Sequence, residues 1–342
     1  MFVLGGLYRY ITIEVQKVVM VLAVVYAIVA HTDMDGVAAG ALYVYLNNVE
    51  EYRVFFTEPF LLHKALGKVS SAYYERVVIL DIGINSRVYE AVLDYIKLLR
   101  EHEIPISWYD HHVWSNEWIN TLRNLGVNLY LDQATCTVGV VAKYTKPLRE
   151  NVDTNFVESL VRGVCAGDMW KFDHWLGGFY VRLVRRKDKD AWRKEVLKTL
   201  AKGVLWAESF EKKVEEHMDR ELMLLSKGVG VLAKNVNGLK LAVARSLEDV
   251  ENSFVAAYVM GRYDADVVVI ASPDGRLSFR SRNYDVGKLA YLLGGGGHKY
   301  AAGAKVEFPW WLRFLSKLRK DAFLHYVLYL VSQKLKLAEP GQ

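Results

Sequence analysis

Cysteine is scarce in this chain: Cys136 and Cys165 are the only two among 342 residues. They are too few and too unpatterned for a disulfide framework or a zinc-finger site, so the simpler expectation is two buried, inert thiols in a reducing, cytoplasmic setting. A long hydrophobic run is missing too. The most apolar stretch, Val18 to Ala30, is interrupted only by Tyr26 and spans 13 residues, short of the roughly 20 that a spanning helix needs. It follows Lys17 as a signal-peptide core would, but cleavage after Ala30 would leave His31 as the new terminus. The targeting reading is therefore rejected, no membrane is expected, and Met20 marks where a shorter chain could begin. Internal repeats and low-complexity tracts are absent. The charge excess is small, +5, which permits a polyanionic partner without demonstrating one. With 52% hydrophobic and 24% charged residues, the composition excludes disorder as the default and suffices for two domains with real cores.

Acidic residues placed directly after apolar runs are what the chain does have. His31-Thr32-Asp33-Met34-Asp35-Gly36 follows VVYAIVA, Asp81 follows VVIL, Asp110-His111-His112 follows ISWY, and Asp168 closes CAGD. Continuous Val/Ile runs suit strands covered on both faces, and loops at the carboxyl ends of parallel strands form the ligand crevice of an open sheet. All four segments are expected there, at strand ends. Carboxylates crowded into one crevice repel each other unless cations neutralise them, and a mixed carboxylate and imidazole set suits divalent transition metals. Helix capping would explain any single aspartate, but not the Asp-x-Asp pair or Asp110-His111-His112. The pattern points to a metal-dependent hydrolytic site.

The alternation of strand-like and helix-like segments through residue 175 predicts an α/β fold with a doubly wound parallel sheet. Residues 1–17 read as an appendage and 18–184 as the metal-binding domain. Residues 185–228, charged and free of proline from Arg185 to Lys227, read as a helical connector. Residues 229–307 begin again with strand-like segments (VGVLA, LKLAVA, DVVVIAS), a Pro273-Asp274-Gly275 turn and RLSFRSR, and so predict a second, smaller α/β domain. Residues 308–342 predict an amphipathic helix with six Lys/Arg against one acid before the tail. Packing on its own protein, a partner protein or a second subunit explains that helix better than a membrane surface.

Taken together, HTDMDG, ILDIG, DHH, AGD and, after RLSFRSRN, GGGGHKYAAGA resemble the DHH phosphoesterase superfamily from Val24 to Ala304. The later part is similar to the DHH-associated C-terminal domain of RecJ-like exonucleases, nanoRNases and cyclic-dinucleotide phosphodiesterases, and unlike that of family II pyrophosphatases. The resemblance implies two Mn2+ ions, with Mg2+ as substitute, bridged by Asp81. It places one ion on Asp33, Asp81 and His31, and the other on Asp35, Asp81, His111 and Asp168. Asp110 would orient an imidazole and His112 would face the scissile phosphate. His31 departs from the pattern, standing two residues before Asp33 where many relatives have four.

Gly294 to Gly297 and His298 form the second cluster. Consecutive glycines let backbone N–H groups approach an anion, so Gly295, Gly296 and Gly297 with His298 predict a phosphate nest. Arg280 and Arg282, two apart on a strand, predict a substrate-holding face. Arg182, Arg185, Arg186, Lys187 and Lys189 could follow a phosphate backbone, although a solvated helix start, interrupted by Asp188 and Asp190, explains them slightly better. Trp114, Trp118, Tyr284 and Tyr300 are candidates for base stacking, Tyr300 first. The expected function is an Mn2+-dependent phosphodiesterase that hydrolyses short single-stranded RNA or DNA from one end. A cyclic-dinucleotide phosphodiesterase is the alternative. A non-catalytic replication scaffold is the third reading, opposed by the full set of aspartates.

Overall fold

Apolar, β-branched runs form the inner strands of a parallel sheet in the computed structural model of the chain. The structure describes residues 14–15, 18–19, 25–319 and 321–337, and it divides into two units, Met1–Phe210 and Glu211–Gln342. Strands β1 (Glu14–Val15) and β2 (Val18–Val19) make a two-residue antiparallel pair. The rest of the expected appendage, and Met20, lie outside the described residues. Of the apolar run Val18 to Ala30, the part described in the parallel sheet begins at Val25.

That strand, β3 (Val25–His31), is followed by β4 (Glu51–Thr57), β5 (Arg76–Leu80), β6 (Ile106–Asp110) and β7 (Asn128–Leu131). All pair in parallel in the order β4-β3-β5-β6-β7. The chain leaves β3 toward β4 on one side and leaves β5 toward β6 on the other, so the loops after β3 and β5 diverge and open a crevice. One face of the sheet packs Ala27, Val29, Val77, Ile79, Ile106 and Trp108 against helices Leu62–Ser70 and Tyr89–Glu101. The other face carries helix Met34–Asn47, buried from Met34 through Leu46. Helices Thr137–Tyr144, Thr154–Asp168 and Asp190–Ala201 cover it from outside, which is why this helix is apolar all round.

The expected connector is not a free spacer. Its helix Asp190–Ala201 buries Val196, Leu197 and Leu200 in the first unit, and its helix Glu208–Ser226 contains the division between the units. In the second unit, β8 (Val231–Val236), β9 (Leu239–Arg245), β10 (Val267–Ala271), β11 (Arg276–Ser281), β12 (Gly296–Gly297) and β13 (Ala301–Lys305) form a mixed sheet in the order β12-β13-β11-β10-β9-β8. Only β9 and β10 pair in parallel. The terminal segment forms two helices, Trp310–Leu318 and Ala322–Leu337, where one was expected. Leu312, Phe323, Leu324, Val327, Val331 and Leu335 pack into the unit's own core. Among the described residues, no helix is long and apolar enough to cross a membrane.

Candidate metal centre

The crevice between β3 and β5 gathers the acidic motifs. His31 ends β3, and Asp33 caps the following helix by accepting from Gly36 N at 3.2 Å through Oδ1. Its Oδ2 lies 2.8 Å from His31 Nδ1. One carboxylate thus serves both as helix cap and as part of the site. Gly36 is required sterically, because a Cβ there would stand 2.7 Å from His31 N and O. Asp35, on the same helix, is buried and accepts from Thr137 N at 2.7 Å and Val138 N at 2.9 Å, the first peptide groups of helix Thr137–Tyr144. Asp81 follows β5 in the left-handed region at φ 58°, where Asp is among the better tolerated residues. Thr137 Oγ1 donates to its Oδ1 at 2.9 Å.

His111 follows β6 and turns Nε2 inward, 3.5 Å from Asp81 Oδ1, 3.6 Å from Asp168 Oδ2 and 3.8 Å from Asp35 Oδ2. Asp110 orients His112, with Oδ1 2.8 Å from His112 Nδ1 and Oδ2 accepting from Trp114 Nε1 at 2.6 Å. Trp114 is buried edge-to-face on Trp108, and Trp118 lies against Tyr89, so both belong to the core rather than to a base-stacking surface. The side chain of His112 is 42% exposed.

Asp168 reaches the centre by a different route from the one expected. It is the last residue of helix Thr154–Asp168, not the end of a strand, because Phe156, Leu160 and Val164 repeat at helical spacing behind an Asp153 cap. The two cysteines are also not free thiols. Cys136 and Cys165 form a disulfide, joining the residue before Thr137 to the helix turn before Asp168. Their separation of 29 residues carries no framework pattern; the fold alone brings them together. With the bond in place, the argument from free thiols to a reducing compartment falls away.

Among the described residues, three groups of side chains offer donor atoms within 4.8 Å of one another: His31, Asp33 and Asp81; Asp35, His111 and Asp168; and Asp81, His111 and His112. Burial and the charges of Asp81 and Asp168 push Asp35 well up, and burial with the surrounding carboxylates brings Asp168 to about 7. Burial opposes protonation of His111, but its bond to Asp81 and the charges of Asp168 and Asp35 raise it to about 11. His112 is likewise raised to about 9, against burial, by Asp110. Burial would raise Asp81, yet the two imidazoles His111 and His31 hold it well below the usual range. Among the described residues, Asp168 Oδ2 is buried without a hydrogen bond. Carboxylates and imidazoles that must borrow protons to coexist, with buried ligand atoms facing one another, fit divalent cations.

Glu58 was not anticipated, although it too follows a strand, β4. It accepts from Thr32 Oγ1 at 2.6 Å and lies 3.4 Å from His31 Nε2, and the His31 bond, outweighing burial, holds it at about 2. Arg193 is equally hidden in the sequence. Buried on helix Asp190–Ala201, it donates to the carbonyls of Thr32 (2.6 Å), Arg185 (3.1 Å) and Arg186 (3.0 Å). It thereby ties the basic loop to the first metal motif.

In the second unit Arg280 stands on the less buried face of β11, and its Nη2 donates to Ser253 Oγ at 2.8 Å. Arg282 lies one residue beyond the strand and is exposed. The glycine run is largely a packing feature. A Cβ at Gly295 would stand 2.1 Å from Gly303 O and one at Gly297 2.6 Å from Ala302 Cα, because β12 lies tight against β13. Gly294 N, Gly295 N and His298 N donate to Tyr291 O, Ala290 O and Ala301 O. Those three groups are not presented to an anion, and Gly296 and Gly297 pair with Gly303 and Ala302 of β13. Tyr284 is packed on the core, whereas Tyr300 is exposed under the Lys299 ammonium.

Comparison with known proteins agrees with this architecture. Residues 25–167 match the DHH family, N-terminal domain, and residues 217–328 match the DHHA1 domain. No curated protein matches the chain. Among solved structures, the pGpG-specific phosphodiesterase PggH of Vibrio cholerae aligns with a TM-score of 0.54 at 14% identity, over 90% of this chain and 98% of its own. An exopolyphosphatase-related protein of Bacteroides fragilis aligns at 0.51 and 11%, over 92% of each chain. RecJ of Thermus thermophilus, solved with Mn2+, aligns at 0.54 and 12%, over 93% of this chain and 53% of that one. With both family domains in order along the chain, and a carboxylate and histidine centre at the divergence of the first domain's parallel sheet, the chain belongs to the DHH phosphoesterase superfamily.

Proposed function

We propose that the protein is an Mn2+-dependent phosphodiesterase that hydrolyses short single-stranded RNA or DNA from one end. The observation that carries this reading is the position of Asp81, whose two carboxylate oxygens face opposite donor groups. Oδ2 lies 3.4 Å from His31 Nδ1 and Oδ1 3.5 Å from His111 Nε2. Asp33, Asp81 and His31 would hold one ion, and Asp35, Asp81, His111 and Asp168 the other. A pair of such ions supplies an activated water and neutralises charge developing on the phosphate.

The chain's own groups do the rest. Thr137 and the first turn of its helix fix Asp81 and Asp35. Asp110 holds His112 by Nδ1 and favours its protonated form, a hydrogen-bond donor suited to a phosphate oxygen. In the second unit we assign substrate holding to Arg280, Arg282 and His298, with the Gly296 and Gly297 peptides beside them. The names of structural neighbours support the substrate class: one is a pGpG-specific phosphodiesterase and another is RecJ.

End-labelled RNA and DNA of several lengths, incubated with protein and Mn2+, test the proposal. A chelator-sensitive ladder of shortened products is expected. Absence of any Mn2+-dependent product from linear oligonucleotides would overturn it, and faster consumption of a cyclic dinucleotide would replace it with the cyclic-dinucleotide reading.

A further inference from the structure

Glu58 belongs to none of the metal motifs, yet it reaches the histidine that departs from the family spacing. The register of β3 and β4 sets Thr57 opposite His31, so the chain leaving β4 runs beside the loop leaving β3. Glu58 Oε1 accepts from Thr32 Oγ1 at 2.6 Å, and Oε2 lies 3.4 Å from His31 Nε2. The other ring nitrogen of His31, Nδ1, faces Asp33 Oδ2 at 2.8 Å and Asp81 Oδ2 at 3.4 Å. The imidazole is therefore placed between an outer carboxylate and the inner donor set.

We infer that Glu58 is a positioning residue that makes His31 an Nδ1 ligand. A neutral imidazole has one N–H and one lone pair; a carboxylate accepting the Nε2 proton leaves the lone pair on Nδ1 and raises its basicity. Thr32 shares Glu58 with His31 and so fixes which way the carboxylate faces. Its own carbonyl is held by Arg193 Nε at 2.6 Å, and the helix start at Gly36 presses on the His31 backbone. The backbone of His31 and Thr32 is thus held from two sides, and Glu58 sets the remaining freedom, the rotation of the ring. This accounts for the short spacing to Asp33. Nδ1 is the ring nitrogen nearer the backbone, and a histidine whose backbone already borders the crevice reaches the centre with the nearer atom. The inference rests on the two-ion reading above and adds to it the ligating atom and the group that aims it.

Calorimetric titration with Mn2+, without substrate, tests this on the wild type, Glu58→Ala, Glu58→Gln and Thr32→Val. Two ions are expected on the wild type. Glu58→Ala should weaken one of them on the order of 10–100-fold and leave the other nearly unchanged. Glu58→Gln, whose amide oxygen still accepts from Nε2–H, should recover most of the loss, and Thr32→Val should fall between. Nitrogen NMR of the wild type loaded with diamagnetic Zn2+ should show His31 protonated at Nε2, a readout that stands even if Glu58→Ala does not fold. Wild-type affinity for both ions in Glu58→Ala, equal weakening of both, or a proton on Nδ1 in the loaded protein would each overturn the inference. A wild type that binds no ion at all would overturn the two-ion reading itself.

Discussion

Thr137 addresses two carboxylates at once: its hydroxyl donates to Asp81 Oδ1 at 2.9 Å, and its peptide N–H donates to Asp35 Oδ2 at 2.7 Å. It is the first residue of its helix, where the backbone dipole favours anions, so two acids from separate strand ends are drawn to one point. Thr137→Val keeps the shape and the N–H but removes the hydroxyl from a fully buried position. The variant should lose about 1–2 kcal/mol of stability in denaturant titration and bind Mn2+ several-fold more weakly. Unchanged metal affinity would reduce the contact to a structural one.

Asp81 gives the sharpest test of the centre. At φ 58° it needs a residue that tolerates the left-handed region, so Asp81→Asn preserves the backbone better than Asp81→Ala. Removing its charge also relieves repulsion with Asp35 and Asp168. Asp81→Asn should therefore fold, show a wild-type circular dichroism spectrum and lose Mn2+-dependent hydrolysis by at least ~100-fold. Substantial turnover at saturating Mn2+ would remove Asp81 from the bridging position.

The sequence made the parallel sheet and the residues at its strand ends readable, because fully buried strands leave continuous apolar runs and an acid after each run has no core to join. Asp33, Asp35, Asp81, Asp110 and His111 were legible for that reason. Asp168 ends a helix where a strand end is expected, since a helix ending and a strand ending look alike when only the acid is noticed. Thr137, Glu58 and Arg193 act through contacts with residues between 26 and 161 positions away, and nothing local in their segments signals this. The glycine run is ambiguous in another way. Glycines that let two strands approach closely have the same composition as glycines that receive an anion, and only the positions of Gly303 and Ala302 separate the two.

Metal binding should release protons. His111, raised to about 11, is protonated in the metal-free protein throughout the neutral range, and Asp168, at about 7, is protonated on its acid side. A cation needs both in their deprotonated forms, so it must displace the His111 proton at any pH from 6 to 8, and the Asp168 proton increasingly as pH falls below 7. Apparent Mn2+ affinity should therefore rise with pH across this window. Calorimetry in buffers of different ionisation enthalpy should count at least one proton released per protein. A pH-independent affinity with no proton release would show that the site is already deprotonated before binding.

The Cys136–Cys165 bond should couple stability to the metal centre. It closes a loop with a sequence separation of 29, for which constraint of the unfolded chain contributes roughly 3–4 kcal/mol. Both ends also border the site. Cys136 is the cap residue immediately before Thr137, and Cys165 lies one helical turn before Asp168. Opening the bond frees the helix start that holds Asp35 and Asp81 to move relative to the helix end that carries Asp168. The double variant Cys136→Ser, Cys165→Ser should accordingly melt earlier than the oxidised wild type, and a reductant should lower the wild type's melting temperature without affecting the variant's. Mn2+ affinity should fall in parallel, chiefly for the ion assigned to Asp35, His111 and Asp168, while the ion assigned to His31 and Asp33 is largely retained. Thiol titration of the denatured, unreduced wild type decides the premise: two reactive thiols would show that the bond does not form, whereas none, together with unchanged metal affinity in the variant, would confine its role to stability.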